Sequence, residues 1–208
     1  YGTLFLGTHD TAFRKSQVKI DLFNDLAADI KNILHGENRM KDFVGFTTPT
    51  LRSGFSATFN AIRSTEGLEK NQLGDYLSYS INYKGENFYA AIALDSDAKG
   101  YNSSRYSLHF PAGSNNFGFI YQQSKNINSK ITDNGFVLSA SRKISTKSKI
   151  KIQLAESDMK VSEGRQLSYG YDYQINDQFE LFFFYTDLST TTLSKEKEVA
   201  AIGFELKF

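Results

Sequence analysis

The feature that most limits the fold is a two-residue alternation that recurs along nearly the whole chain. Phe55, Ala57, Phe59 and Ala61 alternate with Ser56, Thr58 and Asn60; Leu77, Tyr79, Ile81 and Tyr83 alternate with Ser78, Ser80 and Asn82. The unit returns with Tyr106, Leu108 and Phe110 opposite Arg105, Ser107 and His109. It returns again with Leu167, Tyr169, Tyr171 and Tyr173 opposite Ser168, Gly170 and Asp172. Successive strand residues point to opposite faces, so each stretch predicts a strand with one apolar and one small, polar face. About twelve such segments, roughly nine or ten residues each, are joined alternately by short turns and longer polar loops.

Two architectures use that pattern. A soluble β-sandwich or small-ligand barrel turns the apolar face inward. A transmembrane barrel turns it to lipid and keeps the polar face for a lumen, with aromatics near the strand ends and a short-turn, long-loop rhythm. Strand length favours the second, because soluble strands commonly run about five or six residues. The last segment points the same way: Ala200, Ile202, Phe204, Leu206 and Phe208 alternate up to a terminal aromatic. The expected fold is therefore all-β, an antiparallel transmembrane β-barrel.

Composition removes several alternatives. With 208 residues, a net charge of +1 and no cysteine, the chain offers no disulfide, thiolate metal site or cysteine nucleophile, and no basic footprint for nucleic acid. No run of 18 apolar residues predicts a membrane helix. The negative mean hydropathy does not argue against a barrel, in which only every second strand residue is apolar. His9, His35 and His109 stand alone without ligand spacing, and no Ser/His/Asp grouping is present, so neither an enzyme nor a bound metal or cofactor is expected. The charged stretches Glu66–Lys70 and Lys195–Glu198 read as solvated loop surface or subunit contact.

One stretch breaks the alternation. Ser16–Gly36 has a helical period, with Leu22, Leu26, Ile30 and Ile33 on one side and Phe23 and Leu34 flanking them. Asp21, Asp25 and Asp29 form a separate acidic stripe, and His35-Gly36 is a C-terminal stop signal. The carboxylates are not spaced as a calcium loop. The segment reads either as a core-packing helix or as a loop with a greasy edge on a wall and an acidic edge facing water.

The segments GTLFLGTHDT, DLFNDLAADI, ENRMKDFVGFTTP and RSGFSATF resemble the Gram-negative general porins, the trimeric diffusion channels of the outer membrane. The resemblance spans essentially the whole chain, with its specific motifs in the first sixty residues and the last strand. It implies a single barrel domain over residues 1–208 and an inward-folded, pore-constricting loop over residues 9–38 that carries one short helix. Since porins of this kind have sixteen strands, with the long loop after the fifth, it also implies that four N-terminal strands lie outside this sequence. The opening at Tyr1, within an alternating pattern and without a signal peptide, fits that expectation.

By the same resemblance, Asp21, Asp25 and Asp29 are expected on the acidic side of the constriction. Alternation over Arg39–Pro49 puts Met40, Val44 and Phe46 on one face and Arg39, Lys41 and Thr47 on the other, so Arg39 and Lys41 are expected on the basic side by parity. Leu22, Leu26 and Ile30 are expected as loop anchors, with Phe182 and Phe184 pointing inward to meet them. Lys143, Lys151 and Lys207 are further lumen candidates. Thr8 stands where related porins carry a constriction arginine, which leaves the ionic preference open. Phe204, Leu206 and Phe208 match the terminal signal read by the barrel-assembly machinery. The implied function is a water-filled channel for ions and small hydrophilic solutes, homotrimeric, in contact with outer-membrane lipid. The rival is a non-conducting barrel serving as adhesin or anchor. A sugar-specific channel would need an aromatic track, for which Phe182, Phe184 and Tyr89 are too few.

Overall fold

A computed structural model describes residues 1–63, 72–191 and 195–207; Glu66–Lys70 and Phe208 lie outside the described residues. The described chain is strands and turns, with β1 (Thr3–Asp10), β2 (Arg39–Thr47), β3 (Phe55–Arg63), β4 (Leu73–Lys84), β5 (Tyr89–Ala98) and β6 (Tyr101–Ala112) in the first half. The second half supplies β7 (Asn115–Asn126), β8 (Thr132–Lys143), β9 (Ser148–Ser157), β10 (Gly164–Gln174), β11 (Phe179–Ser189) and β12 (Lys197–Leu206). Strand order follows the sequence, β1 to β12, in one sheet. The nearest-neighbour order arises because each connection is a turn or a loop that returns the chain antiparallel beside itself.

The sheet is inside out relative to a soluble protein. Leu4, Ile81 and Ile202 are 64%, 61% and 80% exposed, while Ser78, Gln122 and Ser168 are fully buried. Register keeps the two kinds of row apart. Across β3 and β4, Thr58 lies opposite Ser80 and Asn60 opposite Ser78, while Phe59 lies opposite Tyr79. Across β9 and β10, Gln153 faces Ser168 and Ile152 faces Tyr169. Exposed apolar rows and buried polar rows are the arrangement that lipid outside and polar contents inside demand.

The chain forms two compact units: Tyr1–Val18 with His35–Leu108 and Ile120–Asn134, and Lys19–Leu34 with His109–Phe119 and Gly135–Phe208. In the first, Phe43, Ile62, Tyr76 and Ala98 make a small core, with Phe5 and Met40 against it. In the second, Phe23, Ala28 and Phe184 do so, with Leu22, Leu26 and Phe182 packed around them.

Two expectations need correction. The loop between β1 and β2 does carry one short helix, α1, but at Ala12–Lys15 and not over Ser16–Gly36, where the described backbone holds only a 3₁₀ turn at Ile30–Asn32 among turns and irregular chain. Val18 and Asp25 have positive φ (51° and 64°), and the Asp21 and Asp29 carboxylates take backbone N–H groups. Such side-chain bonds compete with the helical ladder. In β2, Met40 does not share a side with Val44 and Phe46. Gly7 pairs with Phe43 but His9 with Met40, a one-residue register shift, with Asp42 at φ 50°. The bulge puts Met40 on the side of Phe43, so parity cannot carry Arg39 and Lys41 to the polar face.

Candidate functional site

The polar face of the sheet is occupied where the loop between β1 and β2 lies on it. In the first unit the entering arm is fixed at its backbone. The Ala12 N–H donates to Asn60 Oδ1 and the Phe13 N–H to Ser78 Oγ (3.0 Å), while the Tyr89 hydroxyl donates to the Ser16 carbonyl (3.1 Å). Asn60 and Ser78 are members of the small polar rows, so the alternation that builds the strands also supplies partners for backbone that no strand pairs.

The returning arm is held by charge. Arg105 on β6 is completely buried; its Nη1 lies 2.7 Å from Glu37 Oε1, and its Nε donates to Gln122 Oε1 (2.8 Å). Arg105 Nη2 and Gln122 Nε2 both donate to the His35 carbonyl (3.2 and 2.9 Å). The guanidinium also sits 4.4 Å from the centre of the Phe13 ring, tying the entering arm to the returning one. Gly36, between His35 and Glu37, has φ 90°, and a Cβ there would run into the Phe13 ring. The predicted stop at Gly36 is thus a close crossing of two chain segments. The charges continue outward: Glu37 to Arg14 (3.6 Å), Arg14 to Asp10 (3.1 Å), Asp10 to Arg39 (3.3 Å). Asn38, Tyr76 and buried Asp95 form an adjoining set, with the Tyr76 hydroxyl donating to Asp95 (2.9 Å).

In the second unit the loop is seated by shape. Ile20, Phe23, Ile30, Ile33 and Leu34 are all fully buried. A Cβ on Gly118 would stand 2.7 Å from Ile20 Cγ2, one on Gly135 2.6 Å from Leu34 Cδ2, and one on Gly170 2.8 Å from the Phe23 ring. These wall glycines are absent side chains that make room for loop side chains. Phe184 meets Phe23 at 6.0 Å between ring centres, and Lys151 lies 4.9 Å from the Phe23 ring centre while pairing with Asp172 (2.8 Å). Gln153 holds the loop through two bonds, accepting from the Leu22 backbone N–H (2.8 Å) and donating to the Asp21 carboxylate (3.1 Å).

The expected acidic stripe is not one surface. Asp21 is buried, accepting from the Phe23 and Ile30 N–H groups and from Gln153. Asp29 is buried too, accepting from the Asp25 and Lys31 N–H groups and pairing with Lys31 Nζ (3.1 Å). Asp25 alone of the three is exposed, beside Asn24. Of the expected anchors, Ile30 is fully buried, while Leu22 and Leu26 are partly buried around the Phe23–Phe184 cluster; the deepest contacts come from Ile20 and Phe23. Arg39 is more than half exposed and Lys41 is exposed. Lys207 pairs only loosely with Glu205 (3.8 Å), and Lys143 is exposed at the end of β8. Leu206 and Phe204 are exposed on β12. Among the described residues no cluster of His, Cys, Asp or Glu is arranged to hold a metal.

Arg105, Glu37, Gln122 and Gln153 were not singled out from sequence as holding the loop. For Arg105, Gln122 and Gln153 the signal is size, long polar side chains in rows built largely of small residues; Glu37 lies in the loop, and nothing local marks it as the partner of Arg105.

A sheet with apolar residues outside, polar residues inside and an intervening loop folded onto the polar face defines an outer-membrane β-barrel channel. The sequence profile of the Gram-negative porins matches residues 1–193, and the chain belongs to that family. Solved structures share the barrel fold. OmpF of Salmonella typhi, in complex with daunomycin, superposes with a TM-score of 0.77 at 11% identity over 98% of this chain and 74% of that one. DcaP, an outer-membrane channel of Acinetobacter baumannii, gives 0.69 at 12% identity over 98% and 70%. The trimer form of OmpT of Vibrio cholerae gives 0.64 at 12% over 98% and 75%. No curated protein sequence matches the chain. As a Gram-negative porin the protein resides in the outer membrane and forms a channel for passive diffusion of solutes. The family's members are generally channels and not enzymes.

Proposed function

We propose that residues 9–38 narrow the channel, and that the loop's exposed charges, not the whole aspartate stripe, set its ionic preference. The observation that carries this reading is the fastening of both loop arms to the buried polar face, through Asn60 and Ser78 at one end and Arg105 and Gln122 at the other. A loop held by so many backbone contacts is a fixed obstacle, and a fixed obstacle sieves. Its exposed charges are Lys15, Lys19, Asp25 and Lys31. Asp21 and Asp29 spend their charge on backbone N–H groups instead of on the permeating ion. The channel is therefore weakly selective, and cations gain no strong advantage.

The channel acts without catalysis, as a homotrimer, a state supported by the trimer form among the similar structures. The alternating C-terminal strand, with Phe204, Leu206 and Phe208, is what the barrel-assembly machinery engages. The test is single-channel recording of the protein in planar bilayers under a salt gradient. Ohmic openings in steps of three, with a reversal potential near zero, are expected. A reversal potential near the ideal cation limit overturns the charge assignment, and folded protein without conductance overturns the channel in favour of an anchor.

A further inference from the structure

We propose that the exposed face of β7–β10 carries a binding groove for an anionic phospholipid of the leaflet at the short-turn end. A depression of about 450 Å³ lies there, lined by Asn115, Phe117, Ala140, Arg142, Ile150, Ile152 and Tyr169. Cavities that hold small organic ligands span about 300–1,000 Å³. The groove arises from register. Ala140 lies opposite Ile152, and Ile152 opposite Tyr169, so a methyl group stands in a row of large side chains. Phe117, Ile150, Ile152 and Tyr169 are each more than 40% exposed, on the apolar side that a barrel turns to lipid.

The next row puts a cation at the mouth: Arg142 lies opposite Ile150, one step nearer the turn. The sequence from Arg142 to Lys151 carries Arg142, Lys143, Lys147, Lys149 and Lys151 with no carboxylate among them. Lys149 and Lys151 are both held at 2.8 Å by Asp172, on the polar side of the sheet. Arg142, Lys143 and Lys147 remain exposed at the turn. The carboxylates that share the turn end with Lys143 and Lys147 are Asp172 and Glu180, of which Asp172 is already engaged. Short turns of outer-membrane barrels face the periplasm, so the headgroup comes from that leaflet. An apolar groove with cations at its interfacial end selects an acyl chain joined to a negative headgroup.

The experiment reconstitutes the full chain in bilayers of equimolar phosphatidylglycerol and phosphatidylcholine. Mild detergent extraction and native mass spectrometry then count the retained lipid. Wild type is expected to keep phosphatidylglycerol preferentially. Arg142→Gln is expected to cut that preference roughly fivefold, the equivalent of about 1 kcal/mol for one cation at an anionic surface. Ala140→Leu fills the groove and is expected to release lipid of either headgroup. Conductance checks folding, and Arg142→Gln leaves it unchanged because Arg142 is outside the channel. Equal retention of the two lipids by wild type overturns the proposal, as does an Arg142→Gln protein that retains lipid as wild type does. Replacement of phosphatidylglycerol by co-purified lipopolysaccharide assigns the groove to the other leaflet and also overturns it.

Discussion

The two halves of the loop are held on the same kind of wall by opposite means. Around His35–Asn38 the wall reaches out: Arg105 and Gln122 extend long polar side chains to a carbonyl and a carboxylate. Around Ile20–Leu34 the wall recedes: Gly118, Gly135 and Gly170 leave hollows for Ile20, Leu34 and Phe23. The first fastening is directional and depends on pairing a buried charge. The second depends on volume and on apolar area removed from water. They should fail differently, and substitutions can tell them apart.

The largest effect belongs to the charged fastening. Arg105→Met removes the guanidinium from a carboxylate whose side chain is 2% exposed and takes both Arg105 donors from Gln122 Oε1. Breaking a buried pair from one side costs about 3–5 kcal/mol. Thermal unfolding followed by heat-modifiable mobility should show that loss, and channel current should become noisy as the returning arm detaches. Arg105→Met with Glu37→Met should recover much of the stability, because neither charge is then stranded. If the double variant is no more stable than the single one, the ion pair is not what holds this arm.

The shape-based fastening should respond to added volume. A Cβ at Gly118 runs into Ser139 Oγ and lies 2.7 Å from Ile20, so Gly118→Val overfills the seat. Overpacking of this kind costs about 1–3 kcal/mol. The loop is the less connected partner and should move, so conductance should change while the strands keep their register. Unchanged conductance, with the same loss of stability, would mean that the wall yields and not the loop.

What could be read beforehand follows from the period of each pattern. All twelve strands were legible, because alternation in Phe55–Arg63 or Gly164–Gln174 is a local property that any pairing must respect. The inverted burial was legible too, since Ser, Thr and Gly rows offer nothing to a soluble core. The loop was not. Its apolar spacing mimics a helix, but Ile20, Phe23 and Leu34 seat in separate glycine hollows, and Asp21 and Asp29 bond backbone instead of facing water. The bulge at Asp42 was equally hidden, since a one-residue insertion leaves composition unchanged and only register reveals it. Arg105 was visible on the polar face of its strand, yet its partner Glu37 is 68 positions earlier, a pairing that only the fold creates.

The smallest and sharpest test lies within one motif. Asp21 and Asp25 are four residues apart and chemically identical, but Asp21 accepts three hydrogen bonds in a buried seat while Asp25 is exposed at φ 64°. Asp21→Ala should cost about 1.5–3 kcal/mol, the range for hydrogen bonds to a charged group, and should disturb conductance by loosening the loop. Asp25→Asn keeps a side chain suited to left-handed backbone and should leave stability within about 0.5 kcal/mol. Its effect should be a small shift of the reversal potential toward anions, with single-channel conductance retained. If instead both variants shift selectivity equally without loss of stability, the three aspartates do act as one acidic stripe on the permeating ion. The backbone role assigned to Asp21 would then be wrong.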